Sequence, residues 1–409
     1  MAIGDIIVGV DIGTERVTAV VGEVNSFSQI EIICTTSSKC RGIKKTKIID
    51  EDQIAQAIET VIKEAEAEAD LSINSAYTTI PGTYVTIVQN SITKEVKDKY
   101  AGISVKDVAN SINQVRDIEI PEDKFLIDVV PSQFILDDGK IVEDPVGNIS
   151  GEFTVNGQVI LAEKDYIKQL SSVFKKAGLE IDGIVPTILA QRNLILDTNE
   201  LNDNVIILDV GAGNTNIGAF EGNKFIYTNT IPIGGENITK DIAYILNIDE
   251  DEAEKLKKQY GLALKSFIDN DNDIILNTCK DENTNKEIKS SELIEIIEAR
   301  VEEIFSLVNK DISMQGFKQI INNVILTGQG ISTINKSDVA GKIALNIPAK
   351  IATGRLISTI KTEYRTSYAL VRYVSSRPYA KTVSSKIDAK KEENIIKNIL
   401  QKVKDFFYS

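Results

Sequence analysis

The sequence predicts a mixed α/β protein built from two related halves. A strand that ends in Asp-x-Gly and leads into a second strand occurs twice, at Asp11 and at Asp209. Each copy continues with a third strand and then a helix, which is the pattern of an internal duplication. The length of 409 residues supports this division, since domains commonly have about 100 to 200 residues. Chance recurrence of a short strand motif is the alternative, and the matching order of the flanking elements argues against it.

The first copy opens the chain. Residues 6–10, 17–22 and 30–34 are short apolar runs typical of core strands. Residues 52–69 follow with apolar side chains at helical spacing, and Asp50 is a suitable N-cap for that helix. The sequence therefore predicts three strands and a helix.

The second copy repeats this order, with strands over 205–208, 217–220 and 225–228 and a helix from Ile238. Between the copies, residues 85–162 alternate strand-like runs with one helical stretch, so they form an inserted small α/β unit. Residues 241–311 are largely helical in pattern. Strand patterns resume at 324–326 and 343–345.

Composition excludes several functional classes. The net charge of −14 repels phosphate backbones and argues against nucleic-acid binding. The absence of histidine excludes Ser-His-Asp and Cys-His catalysis and the commonest zinc ligands. Cys34, Cys40 and Cys279 form no CxxC pair, which fits a reducing compartment. With no signal-peptide pattern and no run of about 18 apolar residues, we expect a cytoplasmic protein.

The glycine-rich turn after Asp209 differs from a dinucleotide-binding fingerprint. Asn216 stands where the third glycine belongs, and a strand follows instead of a helix. A glycine hairpin of this kind lets backbone N–H groups approach phosphate oxygens, and its carboxylate can hold a hydrated Mg²⁺. Two such hairpins, related by duplication, can clamp a polyphosphate from both sides.

Two further glycine sites agree with this interpretation. Gly234 and Gly235 precede a predicted helix whose N-terminal N–H groups suit phosphate. Gly328 and Gly330 follow a strand and offer backbone close to a ring or ribose. A plain tight turn is the alternative at each site taken singly.

The end of the chain predicts a membrane-associated helix. Residues 378–393 are polar and lysine-rich, as in a linker. Residues 394–409 then place seven apolar side chains on one helical face, with lysines off that face, which favours a helix lying among lipid headgroups. A terminal helix docked on the protein's own core is the alternative. The seven residues are Ile395, Ile396, Ile399, Leu400, Val403, Phe406 and Phe407.

Four motifs resemble the phosphate, connecting and adenosine motifs of the actin, Hsp70 and sugar-kinase ATPases. They are Asp11-Ile-Gly-Thr-Glu-Arg, Asp209-Val-Gly-Ala-Gly-Asn-Thr, Ile231-Pro-Ile-Gly-Gly and Leu326-Thr-Gly-Gln-Gly. Within that superfamily the chain is similar to the FtsA family of bacterial cell-division proteins. The features that carry this narrower resemblance are Val20-Val-Gly-Glu, Asp128-Val-Val-Pro-Ser-Gln-Phe-Ile, Asp144-Pro-Val-Gly, Asp241-Ile-Ala and the terminal amphipathic helix.

The resemblance implies an actin-like ATPase fold, with two duplicated sheet-and-helix halves around a nucleotide cleft. The first half would comprise residues 1–84 and 163–200, with an inserted subdomain over 85–162. The second half would comprise 201–238 and 319–377, with a helical subdomain over 239–318. Beyond them lie the linker and the amphipathic helix.

The resemblance also implies ATP and Mg²⁺ as ligands. Gly13 and Thr14 would meet the phosphates from one side, and Asp11 and Asp209 would hold Mg²⁺ through water. The remaining expected contacts are Gly211, Gly213 and Thr215 with the phosphates from the other side, Gly234 and Gly235 closing on them, Glu254 and Lys257 flanking the ribose or adenine, and Gly328 and Gly330 supporting the base.

One departure from the superfamily bears on hydrolysis. Related filament ATPases commonly place Glu or Gln just before the proline of the first connecting motif, whereas Val185 precedes Pro186 here. A valine cannot orient water, and Gln191 lies more than one helical turn further on. Asn216 and Gln329 also replace a frequent Asp and Gly. The sequence therefore offers no confident catalytic residue, and we expect at most slow ATPase activity.

The family further implies a filament-forming protein that tethers the ring of the tubulin-like protein FtsZ to the cytoplasmic membrane at the division site. It would bind the FtsZ C-terminal peptide through the helical unit, where Arg300 and Lys310 are candidate contacts, and it would help to recruit other division proteins. An actin-like component of a pilus or secretion platform is the alternative function. A sugar kinase or chaperone fits less well, because the chain has no isolated candidate base and no room for a peptide-binding domain.

Overall fold

The computed structural model describes residues 4–376, apart from residues 28, 97–99, 277–285, 354–356 and 358. The predicted linker and the amphipathic helix with its seven apolar residues lie outside the described residues, as does Cys279. In the described part of the chain, no helix has the length and apolar character needed to cross a membrane.

A mixed five-stranded sheet forms the centre of the first half. Its strands are β1 (Ile6–Ile12), β2 (Arg16–Val24), β3 (Ile30–Lys39), β6 (Ser75–Ile80) and β11 (Glu180–Pro186), in the order β11-β6-β1-β2-β3. A small hairpin, β4 (Ile43–Lys44) and β5 (Lys47–Ile48), leads to α1 (Glu51–Ala69). Asp50 caps α1 as predicted, accepting a hydrogen bond from the Gln53 amide at 2.9 Å. Helices α3 (Lys164–Lys176) and α4 (Thr187–Ile195) also belong to this half.

The inserted unit is a separate antiparallel sheet. Strands β7 (Val85–Glu95), β8 (Lys124–Leu136), β9 (Ile141–Val142) and β10 (Glu152–Glu163) lie in the order β7-β10-β8-β9. Helix α2 (Val105–Val115) packs on this sheet through Val108, Ile112 and Val115, and a capping box at Ser104 fixes its start.

The second half contains another five-stranded sheet. Its strands are β12 (Asn204–Val210), β13 (Thr215–Glu221), β14 (Lys224–Ile231), β17 (Asn323–Thr327) and β18 (Ala349–Ile351), in the order β14-β13-β12-β17-β18. Around it are α5 (Gly235–Leu246), α6 (Glu250–Tyr260), α7 (Ser290–Ser313), α8 (Ser337–Leu345) and the hairpin β15 (Asp273–Leu276) with β16 (Lys286–Lys289).

The two sheets confirm the predicted duplication. Each has three antiparallel strands followed by two parallel ones in the same spatial order. Asp11 lies opposite Thr18 in the first sheet, and Asp209 lies opposite Asn216 in the second. Both turns close with the same backbone bond: the Gly13 amide donates to the Arg16 carbonyl at 2.9 Å, and the Gly211 amide to the Asn214 carbonyl at 2.8 Å.

Two local predictions are wrong. Residues 343–345 form the end of α8 rather than a strand, because Gly341 and Leu345, four residues apart, face the core while Ile343 is 67% exposed. The strand of this region comes later, at β18. The helix expected from Ile238 begins earlier, at Gly235.

The last described helix, α9 (Arg365–Ser375), belongs to the first half rather than the second. Leu370 and Val371 are buried in the first core against β1, β2 and α4. A Cβ on Gly9 of β1 would lie 2.8 Å from a Val371 methyl group, so helix and strand approach as closely as glycine allows. Assignment of the whole of 319–377 to the second half is therefore wrong for α9.

Candidate functional site

The two duplicated turns line one cleft. Asp11, Gly13 and Thr14 come from the first turn, and Asp209, Gly211 and Ala212 come from the second. Each aspartate stands at the end of a buried strand, where the chain leaves its sheet and turns. The Gly213 amide donates to Thr14 Oγ1 at 3.1 Å, so the two turns touch across the cleft.

The two cleft carboxylates are partly buried, and burial raises the pKa of both. Burial raises the pKa of Asp11 to about 6; the bond from Thr79 Oγ1 at 2.6 Å opposes this rise, and the charge of Asp209 adds to it. Burial also raises the pKa of Asp209, against hydrogen bonds from Gln191 and Asn216 and the charge of Arg365. Among the described residues, neither carboxylate has a salt-bridge partner.

This pair of carboxylates suits a hydrated divalent cation. Mg²⁺ prefers oxygen ligands and retains several waters, so two carboxylates can hold it through its water shell. The described residues contain no cluster of three or more His, Cys, Asp or Glu side chains suited to direct metal ligation. Asp11 and Asp209 therefore fit Mg²⁺ held through water better than a fully protein-ligated metal.

The predicted glycine turns of the second half meet behind the Asp209 hairpin. The Gly235 amide donates to the Gly211 carbonyl at 2.9 Å, and the Gly330 amide donates to the Val210 carbonyl at 2.8 Å. A Cβ on Gly235 would lie 2.4 Å from the Gly330 Cα. Gly328 has a φ of +92°, and its Cβ would lie 2.5 Å from Asp209 Oδ1. The backbone can pack this closely only because side chains are absent.

Lys257 and Glu254 form a buried network next to Gly235. Lys257 Nζ donates to the Gly235 carbonyl at 3.1 Å and to Thr239 Oγ1 at 2.8 Å, and it lies 2.6 Å from Glu254 Oε2. Burial lowers the pKa of Lys257, and Glu254 opposes this. Burial acts to raise the pKa of Glu254, but the bonds from Lys257 and Thr239 lower it overall. The network ties α6 to the start of α5.

Thr215 differs from the other predicted phosphate contacts. It is fully buried, and its hydroxyl donates to the Ile233 carbonyl at 2.8 Å. The structure thus brings Thr215 to the turn before Gly234 and gives its hydroxyl a partner away from the cleft.

Gln191 lines the cleft, although its distance from Pro186 along the sequence argued against such a position. Val185 is buried in the first core, but α4 starts directly after Pro186 and carries Thr187 and Gln191 along the cleft, one turn apart. Gln191 Nε2 donates to Asp209 Oδ2 and to Thr366 Oγ1, at 2.9 Å each. Gln191 Oε1 is buried and has no partner among the described residues. The i, i+4 spacing of Thr187 and Gln191 was the available sequence signal.

Among the described residues, Arg16 and Arg365 also line the cleft. Arg16 ends the first phosphate motif, whereas no sequence motif included Arg365. Arg16 pairs with Glu363. Arg365 Nη2 donates to the Ile357 carbonyl at 3.1 Å. Burial lowers the pKa of Arg365, and the charge of Asp209 opposes this.

The two candidate partner contacts lie on α7. Arg300 Nε lies 2.6 Å from Asp241 Oδ2, and the guanidinium also contacts Glu303. The bond to Asp241 raises the pKa of Arg300. Lys310 is exposed near the end of the helix. Arg300 would have to exchange an existing partner to meet a peptide.

Comparison with protein families and curated proteins gives consistent matches. Residues 206–375 match the family model of the cell division protein FtsA, and residues 82–161 match that of the SHS2 domain inserted in FtsA. The cell division protein FtsA of Bacillus subtilis (strain 168) is 29% identical over 395 residues, covering 97% of this chain and 89% of the relative. That of Pseudomonas aeruginosa is 27% identical over 326 residues, covering 80% and 78%.

Solved structures share the fold at low sequence identity. A PilM-PilN type IV pilus biogenesis complex gives a TM-score of 0.57 at 15% identity, covering 90% of this chain and 97% of that one. MreB5 of Spiroplasma citri bound to AMPPNP gives 0.51 at 14%, covering 90% and 94%. A MamK double helical filament gives 0.52 at 12%, covering 91% and 99%. These similarities establish an actin-like fold, as the sequence motifs predicted.

Proposed function

This chain belongs to the FtsA family of cell-division proteins, and from that premise we propose that it is an ATP-binding, filament-forming protein that tethers the FtsZ ring to the cell membrane. The observation that carries the proposal is the pair of equivalent hairpins facing one cleft, each with a partly buried carboxylate. Such a cleft can register whether a nucleotide is bound and pass that state to neighbouring subunits.

Binding of the nucleotide phosphates rests on backbone geometry. The hairpins at Gly13 and Gly211 lack Cβ atoms, so their amides can approach phosphate oxygens closely. The Gly235 and Glu236 amides at the start of α5 donate to the Gly211 and Ala212 carbonyls, so α5 supports this hairpin, and the partial positive charge of its N-terminus favours anions. The actin-like MreB5 was solved with AMPPNP, which supports a nucleotide in the corresponding cleft here.

Asp11 and Asp209 are the residues proposed to hold Mg²⁺ through water. The metal would neutralise part of the phosphate charge that the two carboxylates otherwise repel. Thr79 and Gln191 orient the two carboxylates by hydrogen bonds, so their oxygens are fixed before ligand arrives. The protein's own side chains therefore position both carboxylates.

Hydrolysis is proposed to be slow. Val185 occupies the position at which related ATPases commonly carry a water-orienting side chain, and it is 3% exposed. Gln191 lines the cleft and its unpaired Oε1 can accept a hydrogen bond from water, but an amide cannot take up a proton as a general base. Nucleotide would therefore act mainly as a structural ligand.

The terminal residues 394–409 are proposed to anchor the protein at the cytoplasmic face of the membrane. Burying seven apolar side chains in the lipid headgroup region would contribute about 10 kcal/mol gross, and ordering the residues of the tail on binding would cost a comparable amount. One tail is thus a marginal anchor, and a row of linked subunits multiplies it by avidity. The MamK filament supports self-assembly of this fold.

The helical unit that contains α5 and α7 is the proposed binding surface for the FtsZ C-terminal peptide. Lys310 is exposed and can meet an acidic peptide directly. Arg300 would leave Asp241 or share it. The remaining division proteins would be recruited by the assembled filament.

Liposome sedimentation tests the proposal. The full chain should pellet with anionic vesicles more in the presence of MgATP than without nucleotide, and a chain ending at residue 390 should remain in the supernatant. Phe406→Glu with Phe407→Glu should behave like the shortened chain, whereas Asp405→Asn, off the apolar face, should behave like the wild type. Equal nucleotide-dependent pelleting of the full and shortened chains would contradict the proposal.

A pilus or secretion platform is the second candidate function, favoured by the likeness to the PilM-PilN complex. That function would share the cleft but would not need a free terminal anchor. Retention of all cellular function by the chain ending at residue 390 would favour this candidate.

A further inference from the structure

Arg365 begins α9 and brings a guanidinium to the cleft wall. Its Nη2 is held by the Ile357 carbonyl at 3.1 Å, which fixes the side chain without using its charge. Its Nε is buried and has no hydrogen-bond partner among the described residues. Since buried donors are nearly always paired in folded proteins, an unpaired guanidinium N–H beside a ligand cleft calls for an acceptor.

The charges around the cleft point to an anionic acceptor. In the described part of the chain, the anions lining the cleft are Asp11, Glu15, Asp209 and Glu363, and the cations are Arg16 and Arg365. Arg16 is already paired with Glu363. Arg365 lies near enough to Asp209 for each charge to affect the other, yet the two form no salt bridge.

Asp209 has other hydrogen-bond partners. Gln191 donates to its Oδ2, and the Asn216 side chain also bonds to it. Arg365 therefore stands beside the proposed metal-holding carboxylate with its charge unused by any carboxylate of the described residues. A nucleotide whose metal is held near Asp209 brings its phosphate oxygens to the same side of the cleft.

We propose that Arg365 is a phosphate-binding residue of this cleft, which contacts the phosphate chain of the bound nucleotide through its free guanidinium N–H groups. The inference rests on the proposed nucleotide-binding function. A guanidinium is always charged and presents several donors in one plane, a geometry that matches phosphate oxygens. It supplies positive charge where the chain itself otherwise provides a negative surface.

Calorimetric titration of the full chain with MgATP and with adenosine tests the inference. Hydrogen bonds between charged groups are stronger than those between neutral groups, so Arg365→Met should weaken MgATP binding at least about tenfold. Adenosine, which has no phosphate, should bind within about twofold of the wild type. Arg365→Lys keeps the charge and should recover part of the loss. Arg372→Met, on the same helix but away from the cleft lining, is the matched control and should bind both ligands like the wild type.

Several results would overturn the inference. In the first, Arg365→Met binds MgATP as tightly as the wild type. In the second, it loses MgATP and adenosine affinity equally, which would assign Arg365 a purely structural role. If Arg365→Met does not fold, Arg365→Lys is decisive, and the third result is MgATP affinity unchanged in that variant. A wild-type chain that binds adenosine and ATP with equal affinity would refute the phosphate contact, and one that binds neither would also refute the proposed function.

Discussion

The two walls of the cleft have the same strand order and the same turn geometry, but different surroundings support them. The turn at Gly211 is backed by other backbone: Gly235 and Gly330 pack against it at distances that exclude any side chain. The turn at Gly13 is supported by side chains, with Thr79 on Asp11 and Glu363 on Arg16. The two walls therefore share one strand arrangement. Backbone packing supports the wall at Gly211, whereas side-chain contacts support the wall at Gly13.

The carboxylates of the two walls, Asp11 and Asp209, also differ in the groups that stabilise their charge. Among the described residues, Asp11 has one side-chain donor, Thr79, and its pKa is raised to about 6. Asp209 has hydrogen bonds from Gln191 and Asn216 and the nearby charge of Arg365. Asp11 is thus the less compensated charge in the nucleotide-free protein, and this difference can be measured.

The largest expected effect concerns Asp11. Its pKa is raised from 3.8 to about 6 on folding, so the folded state disfavours the charged form, and stability falls as pH rises from about 4 through 6. At pH 8 the loss is about 3 kcal/mol. Asp11→Asn should remove most of it and stabilise the metal-free, nucleotide-free protein at pH 8, but change little at pH 4. Urea unfolding at both pH values measures this.

The exposed residue Asp165, replaced by Asn, is the control for Asp11→Asn and should leave the free energy of unfolding unchanged. Asp209→Asn should stabilise less than Asp11→Asn, because the amide N–H₂ group would meet the Gln191 donor. An Asp11→Asn variant no more stable than the wild type at pH 8 would contradict the account of this wall.

The next largest effect is the difference in stability loss between a glycine substitution in the wall packed by backbone and one in the wall supported by side chains. Gly235→Ala should destabilise the protein by about 2 kcal/mol, because its Cβ would lie 2.4 Å from backbone that cannot move aside cheaply. Gly13→Ala is the matched change on the other wall, where the nearest atom is 3.1 Å away, and it should cost less. Thermal unfolding without nucleotide compares the two variants. Equal losses would remove the distinction between the walls.

Gln191 tests how firmly Asp209 is held. Gln191→Leu removes the donor to Asp209 and Thr366 and should cost about 1–2 kcal/mol of unfolding free energy. It should also raise the pKa of Asp209 further, so the loss should be larger at pH 8 than at pH 5. Gln169→Leu on the exposed face of α3 is the control. A loss independent of pH would show that Gln191 acts only by packing.

The smallest effect is expected for the ion pair that supports the first wall. Arg16 and Glu363 are partly exposed, at 34% and 24% of their side-chain surface, so their coupling should be only about 0.5–1 kcal/mol. A double-mutant cycle with Arg16→Met and Glu363→Gln measures it, and the coupling should shrink in high salt. A coupling above about 2 kcal/mol would mean that this wall is as rigid as the other.

The two sheets were predictable from the sequence, whereas the boundaries and packing of some helices were not. Apolar runs ending at Asp11 and Asp209 predicted both sheets, because strand burial and turn chemistry are local properties. Residues 343–345 were wrongly predicted to be a strand, because three apolar residues fit either a strand or the end of a helix such as α8. The placement of α9 in the first half depended on its packing against Gly9, which has no local signal.

The same limit applied to the cleft. The glycine turns that meet behind Asp209 were identified one by one, since each has its own local motif. Gln191 and Arg365 reach the cleft through the direction of α4 and the path of α9, which are tertiary facts. Local pattern thus located the backbone of the site, while the side chains brought in by long-range packing required the structure.

A structure of the full chain with AMPPNP and Mg²⁺ tests the central claim most directly. We expect the three phosphates to lie between the turns at Gly13 and Gly211, and a hydrated metal to lie between Asp11 and Asp209. A cleft without nucleotide at saturating concentration, or a nucleotide contacting one turn with the opposite carboxylate directed away, would contradict that claim.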